Sequence, residues 1–315
     1  MKTIYLNEQT VLTEPCVATV GMFDGVHLGH QFLIAHVVSE ARRRGLPACV
    51  VTFDRQPRQV LQPDWQPQLL APLDEKLLLL SHTGIDCCVV LPFSVEMAQL
   101  SARDFMRDVL RRQLCVDTLF TGYDNRFGHN RSEGFDEYVA FGREWGISVQ
   151  ALPVAPPIDG LTVSSSAIRR CLLEGDVATA NRCLGYPYSV AGHVVEGEHI
   201  GTHIGFPTAN LQPDAPEKLI PAAGAYAVKV RVESSVEHKH GMMNIGHRPT
   251  FDGQQTTLET HIFRYNDNLY GQFMIVSLME RLRPEQRFDS AGQLAEQLQR
   301  DEEAVEKLFN QELDE

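Results

Sequence analysis

Two histidines three residues apart, His27 and His30, stand inside a glycine-rich run, GMFDGVHLGH, from Gly21 to His30. The run follows an apolar segment, residues 16–20, that reads as a strand. It leads into a helix-period run carrying Phe32, Leu33, Ile34, Val37, Val38 and Ala41. A strand, a glycine-rich turn and a helix start make a cradle for phosphates. Gly21, Gly25 and Gly29 let backbone N–H groups approach an anion, and the helix N-terminus adds partial positive charge. His-x-x-His also fits half of a zinc site, or an incidental pair. The surrounding glycines and Asp24 favour phosphate handling.

A second constellation lies far downstream. Gly197, Gly201 and Gly205 recur at every fourth position and lead into Phe206-Pro207-Thr208-Ala209-Asn210. This is either a ligand-covering loop or a plain connection between strands. Thr208 and Asn210 offer a hydroxyl and an amide oxygen, hard donors suited to Mg²⁺. Glu259 sits in the apolar strand Leu258 to Phe263, where alternation puts it on one face with His261 and not with Leu258. It is either an exposed carboxylate or a group that takes a proton from an attacking hydroxyl. Ser164, Ser165 and Ser166 precede a helix carrying Ile168, Leu172 and Leu173, so they are placed to cap it and, at an N-terminus, to bind an anion.

The elements around these residues change character along the chain. Up to about residue 152, strand and helix signals alternate: strands at 48–53, 85–91, 117–121 and 148–152, and helices at 74–80, 101–113 and 133–145. Alternation predicts a parallel sheet covered on both faces, with ligands at the strand C-terminal ends. Gly21 to His30, residues 121–131 and the segment after 152 all fall there. Two helices, up to Leu184, close this first domain, 1–184. From 185 to 315 strand-like runs dominate, at 188–195, 225–232, 242–245, 258–263 and 273–282. No helix separates them, which predicts an antiparallel sheet or small barrel, with a terminal helix at 290–308.

Composition sets the class. The 315 residues suffice for two domains, and 43% hydrophobic with 22% charged content is that of a globular protein. A net charge of −13 argues against a nucleic-acid partner, with seven acids and one lysine between Asp301 and Glu315. No membrane span or signal peptide is legible, which predicts a cytoplasmic protein. Seven cysteines without a C-x-x-C read as buried thiols, not disulfides.

The pattern of Gly21 to His30 resembles the nucleotide-binding signature of the adenylyltransferase superfamily. With TGYDNRFGH, VSSSAIRR, GFPTAN, NIGHRPTF, ETHIF with LYG, and RLRPEQRF, the whole chain resembles the bacterial bifunctional riboflavin kinase/FAD synthetases. The resemblance implies an α/β architecture: a Rossmann-like nucleotidyltransferase domain followed by a riboflavin kinase barrel. It implies that riboflavin is phosphorylated by ATP to FMN, and FMN adenylylated by a second ATP to FAD and pyrophosphate, both with Mg²⁺. On that resemblance Glu259 is the kinase base, and Thr208 and Asn210 hold Mg²⁺ and ATP phosphates. The loop of Gly197, Gly201 and Gly205 covers the nucleotide. His27 and His30 stabilise charge on the ATP phosphates. Gly21, Phe23, Asp24, Gly25 and Gly29 shape the pocket, Asp124 faces the cleft, and Ser164, Ser165, Ser166 and Arg169 grip pyrophosphate.

The sequence departs from the family pattern at Thr52-Phe53-Asp54-Arg55-Gln56-Pro57, which lacks the family's first proline and its histidine. A further departure is Gly201-Thr202, where the family has Gly-Arg. The first suggests an alternative: a kinase alone, with a nucleotide-binding but inactive first domain.

Overall fold

Three buried apolar runs build the centre of the first sheet: β2 (Cys16–Val20), β3 (Ala48–Phe53) and β4 (Cys87–Leu91). Strands covered on both faces carry continuous, not alternating, apolar residues. With β1 (Lys2–Tyr5), β5 (Val116–Thr121) and β6 (Ser148–Ala151) they form a parallel sheet of order β1-β4-β3-β2-β5-β6. The order reverses between β2 and β5. A ligand crevice is expected outside the strand C-termini at such a point, and the turn after β2 carries Gly21 to His30.

The computed structural model describes residues 1–122, 126–129, 132–197, 201, 205–233, 235, 237–250, 253–265 and 267–311. Its chain divides into two compact units, Met1–Ser165 and Ser166–Glu315.

In the first unit, α1 (Leu28–Arg44) starts on the His27 cap and ends on Gly45 in the left-handed region, φ 66°. It buries Leu33, Ile34, Val37 and Ala41 against one sheet face, together with Leu80 of α3 (Leu73–Ser81). Between them runs α2 (Pro57–Leu61). The other face packs under α4 (Val95–Gln99), α5 (Ala102–Asp104), the π-helical stretch Phe105–Gln113 that continues it, and α6 (Phe135–Trp145). Ser101 caps α5, and α3 begins at Leu73 behind Pro72, with Asp74 inside its first turn.

The second unit opens with α7 (Ser165–Glu174), whose first residue belongs to the first unit, and α8 (Val177–Leu184). Then β7 (Ser189–Val195), β8 (Ala209–Pro213), β9 (Gly224–Val232), β10 (Lys239–Thr250), β11 (Gly253–Ile262) and β12 (Phe273–Pro284) close an antiparallel barrel, β10-β11-β8-β7-β12-β9. Alternate residues are buried, as a closed barrel requires: Tyr226, Val228 and Val230 on β9, Leu258, Thr260 and Ile262 on β11. The last helix, α9 (Ala291–Gln311), lays Val305 and Phe309 on Ala227, Met242 and Phe263, and the buried ion pair Arg283–Asp301 ties it to β12 at 2.8 Å.

Both architectures match the sequence expectation. The cysteines among the described residues are all free thiols. Among the described residues no helix is long and apolar enough to cross a membrane.

Candidate active sites

In the first unit the turn after β2 is tight and strained. Phe23 (φ 50°), Gly25 (φ 78°) and Val26 (φ 36°) lie in the left-handed region within four residues. A β-branched residue there is costly. It persists because Phe23 and Val26 are buried in the core under α1. Asp24, only 5% exposed, accepts from the backbone N–H of Ala71 at 2.9 Å, which pins the turn from the side of α3.

His27 is the N-cap of α1: its Nδ1 accepts from the His30 backbone N–H at 3.3 Å. That bond places the neutral ring's proton on Nε2. The two imidazoles stack with centroids 3.6 Å apart, and the Phe23 ring meets His30 edge-on at 5.2 Å. The His30 Nδ1 is buried without a hydrogen-bond partner, although the residue as a whole is only partly covered. Burial, then the neighbouring His27 and Lys76, push the His30 pKa well below the usual histidine range. The ring is therefore neutral at pH 7.

Gly29 sits where a side chain does not fit easily. A Cβ there would lie 3.2 Å from the His27 ring and 3.4 Å from the Val163 carbonyl oxygen. The Ser165 hydroxyl donates to the Asp24 carbonyl at 3.1 Å. The segment ahead of α7 thus lies against the phosphate-type turn, joining two blocks 141 positions apart in sequence. Ser166 follows on α7, and Arg169 stands one turn further in. Asp124 lies outside the described residues. Its neighbours in the block are anchored: Phe127 exchanges hydrogen bonds with the Tyr138 hydroxyl at 3.0 and 3.2 Å and stacks on that ring.

In the second unit the barrel register assembles the other set. Glu259 lies directly opposite Asn210 of β8 on one side and Asn244 of β10 on the other. Opposite residues project from the same face, so the three form one polar row across three strands. They alternate with the buried Leu258, Thr260 and Ile262. His261, next but one to Glu259, bonds the Pro207 carbonyl at 2.7 Å and meets the Phe206 ring edge-on, which fixes the approach to Thr208.

The glycines flank this row. A Cβ on Gly197 would lie 2.0 Å from the Asn210 Nδ2, and one on Gly201 would lie 2.2 Å from the Phe206 carbonyl oxygen. The Phe206 N–H closes a turn on the Gly201 carbonyl at 2.9 Å, with Gly205 at φ 86° between them. Thr208 also lines a cavity of about 210 Å³ with Val194, Ile262, Tyr265, Leu269 and Tyr270. A hydroxyl, an amide oxygen and one carboxylate suit Mg²⁺ held partly by substrate phosphates, not a caged metal. Among the described residues no group of three or more His, Cys, Asp or Glu is placed to hold a metal.

Two residues in these sites carry only a weak signal in the sequence. Asn244 is a polar residue in an otherwise apolar run. Lys76 occupies the apolar stripe of α3 with Leu73, Leu77 and Leu80, an i, i+3, i+4, i+7 position where a charge is out of place.

Comparison with known proteins finds two family models on this chain. The family model described as FAD synthetase matches residues 9–167, and that described as riboflavin kinase matches residues 184–309. A bifunctional riboflavin kinase/FMN adenylyltransferase from Escherichia coli (strain K12) is 37% identical over 296 residues, covering 94% of this chain and 93% of the relative. One from Haemophilus influenzae is 35% identical over 305 residues, covering 97% and 98%. A solved structure described as a macrolide-efflux protein from Streptococcus pneumoniae superposes with a TM-score of 0.88 at 30% identity, covering 97% of this chain and 99% of that one. The chain belongs to the family of bifunctional riboflavin kinase/FMN adenylyltransferases.

Proposed function

We propose that the barrel, residues 185–315, phosphorylates riboflavin with ATP, and that residues 1–184 transfer AMP from a second ATP to the resulting FMN. The observation that carries this reading is that one chain brings together two separate residue sets. One is the stacked His27–His30 pair with Ser165 against the turn; the other is the Glu259–Asn210–Asn244 row.

In the kinase step the riboflavin 5′-hydroxyl attacks the γ-phosphorus of ATP while Glu259 takes its proton, and ADP leaves. Thr208 and Asn210 would hold Mg²⁺ and the phosphates, and the loop of Gly197, Gly201 and Gly205 would cover the nucleotide. Bound magnesium supplies charge neutralisation on the phosphates. The cavity beside Thr208, with two tyrosines and apolar walls, suits a planar base. In the adenylyl step an FMN phosphate oxygen attacks the α-phosphorus of ATP and pyrophosphate leaves. His27 and the neutral His30 donate hydrogen bonds to the phosphate oxygens as charge builds. Backbone N–H groups around Gly21, Gly25 and Gly29, with Phe23 and Asp24 shaping the turn, receive the nucleotide. Ser164, Ser165, Ser166 and Arg169 grip the pyrophosphate, and Asp124 faces the substrate. ATP as the donor of both reactions fits a cytoplasmic enzyme.

The kinase-only alternative rests on the altered segment Asp54 to Pro57. That segment is well formed: Asp54 accepts from the Phe93 N–H at 2.8 Å, and Gln56 and Gln59 box the start of α2. The FAD synthetase family match over residues 9–167 supports the two-activity reading. The test is a pair of variants. Glu259→Ala abolishes FMN formation and spares FAD formation from supplied FMN, and His30→Ala does the reverse. Parallel loss of both activities in either variant contradicts two independent sites.

A further inference from the structure

Lys76 is buried, at 5% exposure, and its ammonium lies under the phosphate-type turn. Its Nζ donates to the Phe53 carbonyl at 2.9 Å, the Thr52 hydroxyl at 3.2 Å and the Met22 carbonyl at 3.3 Å. The Thr52 hydroxyl in turn donates to the same Met22 carbonyl at 3.2 Å. Three oxygen acceptors match the three donors of an ammonium, whereas a neutral amine has two. Burial lowers the pKa of Lys76, and Asp24 foremost opposes the shift.

The geometry joins three elements at one atom. Met22 is the second residue of the glycine-rich turn, Thr52 and Phe53 end β3, and Lys76 belongs to the first turn of α3. The Ala71 N–H, just ahead of α3, holds the Asp24 carboxylate. The turn is thus clamped at Met22 and Asp24 from one segment, residues 71–76. Between and beyond the clamps lie Phe23 and Val26 at positive φ. Such strain persists only where surrounding contacts over-determine it. Lys76 also lines a small cavity of about 20 Å³ with Met22, Asp24, Asp54 and Gln56, so the clamp borders open space and not only core.

We infer that Lys76, with Thr52 as its relay, is a positioning residue for adenylyl transfer: it holds the strained turn in the shape that presents His27, His30 and the turn's N–H groups to the ATP phosphates. All three donors are committed to the protein, so Lys76 acts through the turn and not by touching substrate. The inference rests on the reading of Gly21 to His30 as the adenylyl-transfer site.

The test uses the full chain with Lys76→Met, which keeps length and removes the donors, and Thr52→Val, which keeps shape and removes the relay. FAD formation from FMN and ATP is measured for kcat and KM, FMN formation from riboflavin is the internal control, and thermal melting reports folding. The expected result is a fall in kcat for FAD formation of about tenfold or more in Lys76→Met and about threefold or more in Thr52→Val. KM for ATP and FMN stays within about threefold and FMN formation is unchanged, the pattern of an interaction realised in the transition state. Unchanged kcat in both variants overturns the inference, as does a rise in KM alone. If Lys76→Met does not fold, Thr52→Val decides by the same criteria. His30→Ala separates the two claims. Full FAD formation in His30→Ala removes the site reading itself. Loss there, with both clamp variants fully active, removes only the role of Lys76.

Discussion

Replacing Gly197 by alanine tests the kinase site at a single contact. The added Cβ would lie 2.0 Å from the Asn210 Nδ2, 2.7 Å from its Cγ and 3.0 Å from its Oδ1. Ordinary contact needs roughly 3.5 Å, so the Asn210 carboxamide must withdraw by roughly 1.5 Å. Gly197 is not among the glycines at positive φ. Alanine therefore adds no backbone strain there and restricts the unfolded chain, in favour of folding by about 0.4–1 kcal/mol. The cost falls on chemistry. Misplacing a group by about 1 Å lowers a rate about 10²-fold, or ~2.7 kcal/mol on the barrier. The assay is the initial rate of FMN formation at saturating riboflavin and ATP, beside FAD formation from supplied FMN. The expected outcome is a loss of about two orders of magnitude in the first, none in the second, and a melting temperature no lower than the parent's. FMN formation within about twofold of the parent would refute the placement of Asn210 in the phosphate-binding set.

Three further outcomes are expected. Gly128→Ala puts a Cβ 2.4 Å from the Ala102 backbone nitrogen at φ 91°, with no flexible atom to yield. It should destabilise the first unit by about 2–4 kcal/mol, read as a lowered melting transition. Thr208→Ala with Asn210→Ala should raise the magnesium concentration needed for FMN formation while leaving that for FAD formation unchanged, as followed by metal titration of each rate. His30 has a folded-state pKa depressed below its unfolded value. The unfolded chain therefore takes up the proton first, and stability is present above about pH 6.5 and lost as pH falls below it. Melting followed from pH 7.5 to 5 should show that loss, and His30→Gln should reduce it.

The central strands of the first sheet were legible because parallel strands buried on both faces leave unbroken apolar runs, as in Ala48 to Phe53. β1 is not legible as a strand: it is a four-residue edge with most side chains exposed, so it leaves little apolar signal. β8 reads as part of a motif, since its five residues include Asn210, Gln212 and Pro213. β10 runs from Lys239 to Thr250, well past the expected 242–245, because its polar ends hide the pairing with β11. The helix expected at 101–113 is there, but as a short α-turn opening into a π-helical stretch that a 3.6-residue period does not distinguish.

Site chemistry followed a similar rule. Residues whose type and local spacing carry the signal, such as His27 with His30, were readable from one segment. The pairing of Glu259 with Asn210 and Asn244 is a matter of barrel register, and no local spacing encodes it. Lys76 signalled itself only as a charge on an apolar stripe, a clue that gains meaning once its partners at Met22, Thr52 and Phe53 are seen.

The central claim is that one chain carries two successive activities. Incubating the purified protein with riboflavin, ATP and Mg²⁺, and resolving the flavins by chromatography over time, tests it directly. The account predicts that FMN rises first and then converts to FAD. FMN accumulating with no FAD, while ATP remains, would contradict it.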